Sequence, residues 1–212
     1  MTDSDQVVAH PDVNAFQDLL RAQFVVLGGR YGTERAVLVR VLCEEYQHAA
    51  ATARSGDLEK AASVMAALEH EVQHPAEAEL RRAVATVALP AQAMVAWLSG
   101  DAEAAQRQLE EALEECARLA ASGHDYLTAR RLHLALNLVR LDVGRIAPAV
   151  ALEEVARLEA TAHGDRSRWP FAEPATLRLP LRGVDRAAID GQVARLRARL
   201  ADDGPLATAS NG

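Results

Sequence analysis

The residues in this sequence best suited to chemistry are two Glu-x-x-His pairs, Glu45/His48 and Glu71/His74. Such a pair sets a carboxylate and an imidazole on one helix face. Helical bundles hold two metal ions this way when two further helices each add a Glu. Register argues against a shared site here. If the two helices turn antiparallel about Gly56, the pairs are offset by roughly ten residues, ~15 Å at 1.5 Å per residue. His70 and His74 are spaced i, i+4 and would chelate one ion given a third ligand, but Glu71 lies off that face. Two histidines near a helix C-terminus are also favoured by the helix dipole alone. No metal and no cofactor is therefore expected. The stretch FVVLGGRYGT can be read as a glycine loop cradling a phosphate. It lacks the P-loop Lys and Ser/Thr spacing, so Gly28-Gly29 reads as a helix end. The nucleophile and metal signatures GxSxG, DDxxD and CxxC are absent.

The elements that would carry these residues are helices. Apolar residues at Ala105, Leu109, Ala112, Leu113, Cys116 and Leu119 make one stripe, with Gln106, Glu110, Glu114 and Arg118 opposite. A turn precedes that stripe at Ser99-Gly100-Asp101. Glycines recur at Gly56, Gly100 and Gly144, 44 residues apart each time. The spacing predicts three helical hairpins: Thr33–Arg54 with Leu58–Gln73, Ala76–Ser99 with Asp101–Ala121, and Tyr126–Val143 with Ile146–Ala162. Thr33 is placed to cap its helix, with Val37, Leu38, Val41, Leu42 and Tyr46 as the apolar face. Pro90 should kink or split the helix that contains it. A first helix is expected over Pro11–Leu27 and a last one over Asp185–Leu200. Between them, DRSRWPFAEPATLRLPLRG reads as an extended connector that packs Trp169 and Phe171 on the last hairpin. Trp97 is expected to fill the seam between units. The division expected is a repeat domain over 11–163, a Pro/Arg-rich connector and final helix over 164–201, and a disordered tail over 202–212.

Composition narrows the function classes. Half of the 212 residues are apolar and only 4% are aromatic, which suits helices and a buried core. A net charge of −7 argues against nucleic acid as a general partner. The C-terminal quarter is nonetheless basic (Arg166, Arg168, Arg178, Arg182, Arg186, Arg195, Arg197, Arg199), so a nucleic-acid or acidic-partner role stays open for it, with self-association of acidic body with basic tail as the alternative. Glu110-Glu111 and Glu114-Glu115 read as a solvated face. Cys43 and Cys116 sit on apolar stripes and read as buried thiols. MTDSDQVVAHPD lacks a basic n-region and an apolar h-region, and no apolar run approaches a membrane span, so the expected location is the cytoplasm. Lys60 is the only lysine among 23 basic side chains, a bias typical of high-GC bacterial genomes.

The turn pattern resembles the tetratricopeptide repeat. In that family a small residue sits seven before the turn glycine, Ala sits five after it, and an Ala-Leu pair follows. Ala49 and Ala93 hold the first place, Ala61, Ala105 and Ala149 the second, and Ala112-Leu113 the third. Asn137 departs from the pattern in the third unit. Glu45, Leu89 and His133 stand where the family has an aromatic, and the period is longer than the family's. The resemblance implies a stacked array with a concave surface lined by the first helix of each hairpin, which binds a protein or peptide. The N- and C-terminal helices would cap it. Glu45, His48, Gln92, Arg130 and His133 are the expected groove residues. The expectation is a non-catalytic adaptor or regulatory module, with a homo-oligomer admitted. The alternative is a small all-α enzyme or ligand-binding protein of a bacterial biosynthetic pathway, with its pocket inside the array.

Overall fold

The computed structural model describes residues 11–72, 77–143 and 145–203. These residues form α1 (Pro11–Tyr31), α2 (Thr33–Arg54), α3 (Leu58–Val72), α4 (Ala78–Leu98), α5 (Ala102–Ala121), α6 (Thr128–Asp142), α7 (Pro148–Ala162) and α8 (Gly183–Asp203). Single 3₁₀ turns lie at Asp125–Leu127, Arg166–Arg168 and Pro174–Thr176. The class is all-α, with no strand among the described residues. No helix among them is long and apolar enough to cross a membrane.

Ser-Gly-Asp sequences do two jobs at the turns. At Ser99-Gly100-Asp101 the chain leaves α4 with Gly100 at φ 88°, where a side chain would be strained. Gly100 donates to the Trp97 carbonyl at 3.0 Å and Asp101 to Ala96 at 2.9 Å, the double bond of a Schellman end. Asp101 then caps α5, its carboxylate accepting from the Ala104 N–H at 2.9 Å. The Ser55-Gly56-Asp57 turn repeats this, with Asp57 accepting from the Lys60 N–H at 3.2 Å. The same carbonyl pairing closes α5 at Gly123 and α7 at Gly164, so the motif is commoner than its 44-residue recurrence. Gly144 lies outside the described residues.

Several boundaries differ from expectation. Gly28-Gly29 does not end the first helix, because α1 keeps its hydrogen bonds through both glycines and stops at Gly32, φ 89°. Gly28 lies in the α1–α2 contact, where an added Cβ would sit 3.8 Å from Ala36. Gly32 also takes the N-cap of α2, where Thr33 makes no capping bond. On α2 the buried face is Ala36, Val39, Leu42, Cys43, Tyr46 and Ala49, while Val37, Leu38 and Val41 point outward. Pro90 neither splits nor ends α4. The expected connector contains two 3₁₀ turns. Helix α8 is longer than expected and runs two residues into the expected 202–212 tail. The rest of that tail lies outside the described residues.

The core is built from small residues where helices approach. Ala83, Ala91 and Ala93 of α4 and Ala105 and Ala112 of α5 are buried, and these two helices pack closely. Leu109, Leu113 and Leu119 fill the layer beside them. Helices α2, α4 and α6 each pack on the helix that follows, and α2 packs on α4. In the third pair Ala149 is exposed and Ala151 is buried, so the small-residue register slips by two. Helix α6 packs against α5, α7 and α8, and its backbone makes little contact with α4. Helix α8 packs on α7 and α6 and meets α1, bringing the two ends of the chain together.

Arg131 holds the connector that makes this meeting possible. It is buried on α6 and donates to the Thr176 hydroxyl at 2.7 Å and the Ala172 carbonyl at 3.0 Å. Its guanidinium also lies 5.1 Å from the Trp169 ring centre. Trp169 is buried and Phe171, 5.1 Å away, is at the surface. A prediction follows from the turn geometry. Gly100→Ala should cost about 1 kcal/mol of stability, since an L side chain at positive φ is strained. Urea unfolding checks this, and an unchanged midpoint would count against the assigned turn.

Candidate functional site

Pro90 sets the site geometry. Having no N–H, it cannot bond the Thr86 carbonyl one turn earlier. That carbonyl is buried, and an unmet buried acceptor costs about 1–3 kcal/mol. Arg130 of α6 meets it, donating from Nε at 3.1 Å and Nη2 at 2.9 Å. Beside it the Ala83 carbonyl accepts from Gln23 Nε2 at 2.9 Å and from the Thr86 hydroxyl at 2.8 Å. Gln23 in turn accepts from the Cys43 thiol at 3.8 Å. Burial pushes the Cys43 and Cys116 thiols up to about 12, so neither is a thiolate nucleophile at neutral pH. Burial also lowers the Arg130 pKa from its ordinary value.

The space left between α4 and α6 is a cavity of about 660 Å³. Its walls are α2, α4 and α6, and α1 and α8 close the remaining sides. Phe16, Leu19, Met94 and Ile189 give it apolar surface; Arg130, His133, Asn137 and Arg140 line the α6 side. His133 and Gln192 are hydrogen-bonded to each other across α6 and α8. Beyond that bridge lies a second cavity of about 350 Å³, lined by His133, Arg140, Gln192, Arg195, Leu196 and Arg199. On the α1/α8 side stand Asp18, paired with Arg21 at 2.7 Å, and Asp185. Burial, then the Asp18 charge, raises the Asp185 pKa.

Two of the five groove residues expected from sequence share this cavity: Arg130 and His133, one turn apart on α6. Glu45 and His48 are exposed on α2 and do not line it. Gln92 bonds Glu69 of α3 at 2.7 Å, away from the cavity. The neighbours Gln47 and Ala50 take the inward positions on α2. The Glu-x-x-His pairs do not converge: Glu45, His48 and Glu71 are exposed, and His74 lies outside the described residues. No group of three metal-ligating side chains occurs among the described residues.

A second constellation escaped the sequence reading. His124 is fully buried between Glu79 and Tyr126, with Nε2 2.8 Å from Glu79 Oε1 and Nδ1 2.9 Å from the Tyr126 hydroxyl. Arg30 adds bonds to Glu79 at 2.6 Å and to the Ser122 carbonyl at 2.9 Å. This ties α1, α4 and the turn after α5 together. Tyr126 also reaches the cavity wall, so a Glu–His–Tyr relay abuts the cavity. Burial raises the phenol pKa, which opposes a phenolate role and favours a structural clasp. The only signal in the sequence was His124 directly after a Ser-Gly helix end.

Comparison with protein-family models, with curated proteins and with solved structures gives no match.

Burial raises the Glu79 carboxyl, but hydrogen bonds from His124 and Arg30 outweigh it and hold the pKa below its ordinary value. A depressed folded pKa stabilises the fold above the unfolded value of about 4.3, and the stabilisation is lost as pH falls through the folded one. Glu79→Gln should cost about 1–3 kcal/mol at neutral pH. The gap from wild type should close below about pH 4. A gap that stays constant across pH in urea titrations would show that the carboxylate charge does not stabilise the clasp.

Proposed function

We propose that this chain is a binding module that takes a segment of a protein or peptide partner into the cavity between α1, α2, α4, α6 and α8. The observation that carries this reading is the cavity itself. Helices α2, α4 and α6, which the repeat resemblance assigns to a concave binding surface, make three of its walls. Its lining mixes apolar side chains with polar groups from α1, α2, α6 and α8, so a partner would meet both apolar surface and oriented hydrogen-bonding groups. Arg130 is anchored by Thr86, so its head is preorganised, which reduces the ordering cost of binding. The two buried thiols and the raised Tyr126 offer no activated nucleophile there. A cytoplasmic adaptor or regulatory role, as expected from the sequence, fits such a module.

One observation favours a second reading, a small-molecule carrier or enzyme. Helices α1 and α8 close the sides that an open groove would leave free. That enclosure suits a compact ligand as well as a chain segment.

Native mass spectrometry of the gently purified protein tests the choice, together with the cavity-filling variant Ala129→Phe. Ala129 lines the cavity and is half-exposed, so the variant should fold with an unfolding midpoint within about 1 kcal/mol of wild type. The expected result is a polypeptide mass on wild type that is lost on Ala129→Phe. A small-molecule mass in its place would establish the second reading. A partner kept by Ala129→Phe and lost when Glu45 and His48 are substituted would move binding to the outer face of α2.

A further inference from the structure

Arg130 keeps one edge of its guanidinium open. Its Nε and Nη2 donate to the Thr86 carbonyl, which occupies one side of the planar group. The adjoining edge pairs Nη1 with the second N–H of Nη2, two parallel donors. Nη1 has no hydrogen-bond partner among the described residues, and it is not sealed from solvent. No carboxylate among them pairs with this arginine, and its side chain lines the larger cavity. A cation held away from bulk water and met only by a carbonyl dipole favours an anion at its open edge. Two parallel donors match the two oxygens of a carboxylate.

The rest of the lining favours a single carboxylate on an apolar body. Pro90 and Met94 follow Thr86 at one-turn intervals along α4, and both line the cavity. From Thr86 to Met94 that face spans about 12 Å at 1.5 Å per residue. Leu19 and Ile189 add apolar surface from α1 and α8. The carboxylates on the lining, Asp18 and Asp185, stand on the α1/α8 side, so a second anionic group would meet like charge there. Of the other lining arginines, Arg54 is exposed and Arg140 has an interaction of its own. The His133–Gln192 bridge separates the second cavity from Arg130, so the ligand lies wholly in the first. At about 660 Å³, with α1 and α8 closing its sides, that cavity is of a size that encloses a small molecule.

Resting on the cavity as the binding site and going beyond the partner segment, we propose that an apolar monocarboxylic acid binds there, its carboxylate on the open edge of Arg130 and its body along Pro90 and Met94. The acid fills space that a partner segment needs, so the two exclude each other and the acid acts as an effector of the module. Medium-chain fatty acids and aryl-alkanoic acids share this chemistry.

The test titrates the full chain calorimetrically with sodium octanoate, octanamide and sodium octyl sulfate. Octanoate should bind about tenfold more tightly than octanamide, the scale of one charge-assisted bond. It should also bind more tightly than the sulfate, whose oxygens are not planar. Arg130→Gln should lower octanoate to the affinity of octanamide. Arg130→Lys, which keeps the charge and loses the planar fork, should fall between. Ala129→Phe, which keeps the arginine and fills the cavity, should bind none of the three, and it decides the matter if Arg130→Gln does not fold. Equal affinity of wild type for octanoate and octanamide overturns the carboxylate contact. Octyl sulfate bound as tightly as octanoate overturns the carboxylate as the ligand class. A preference for octanoate that survives in Arg130→Gln overturns the assignment to Arg130. Octanoate bound by Ala129→Phe places it outside the cavity and overturns the site. No octanoate bound by wild type overturns the acid and leaves the partner segment standing, which the native mass spectrum tests separately.

Discussion

The Thr86 carbonyl, freed by a proline four residues later, is the constraint on which the interior depends. A helix with proline at its centre must find a donor for one buried carbonyl or bend it toward water. Here the donor comes from another helix, and it is charged. Because Arg130 uses two N–H groups on one oxygen, the bond fixes both the distance and the rotation of α6 relative to α4. The backbones of those helices make little contact with each other, so the side chain acts as a spacer. A methylene-packed contact would have closed the gap; a guanidinium that must reach a carbonyl keeps it open.

The other side of the cavity depends on a different polar group. Glu79 and His124 would each be costly to bury alone, and each satisfies the other. Arg30 brings α1 onto this pair, and Gln23 fixes the middle of α1 to the carbonyl beside Thr86. Helix α1 is therefore positioned by these polar contacts as well as by its buried Leu20 and Leu27. Arg131 does the same for the connector, and through it for α8. In each case an arginine or a histidine joins segments distant in sequence, which an apolar residue does with less directional control.

The helices were legible in the sequence because their signals are local. The 3.6-residue stripe on α5 and the Ser-Gly-Asp turn depend on residues within a few positions of each other. Two local signals misled. Gly28-Gly29 reads as a stop, yet both residues stay helical because α1 packs against α2 there and needs a small residue near Ala36. Val37, Leu38 and Val41 read as a core stripe, but the buried face of α2 is turned away from them toward alanines, whose burial no hydropathy pattern announces strongly. The interior was half legible. Arg130 and His133 follow from the repeat register. The inward turn of Gln47 rather than His48 depends on the rotation of α2, which the contact with α1 sets. The Glu79–His124 clasp joins residues 45 positions apart and has no local mark at all.

The charge asymmetry of the chain takes on a different meaning once folded. As composition, eight arginines in the C-terminal quarter suggest a basic surface against an acidic body. In the structure part of that asymmetry is consumed in pairs. Arg178 meets Asp125, Arg186 meets Asp190 and Arg197 meets Glu159. Exposed pairs of this kind contribute little to stability and less at high salt. Arg195 and Arg199 line a cavity wall beside Arg140, and each of the three makes a further interaction of its own. The basic character that composition assigns to the C-terminal quarter is thus spent in part on joining the fold's own elements, as where Arg178 reaches the turn after α5 and Arg197 reaches α7.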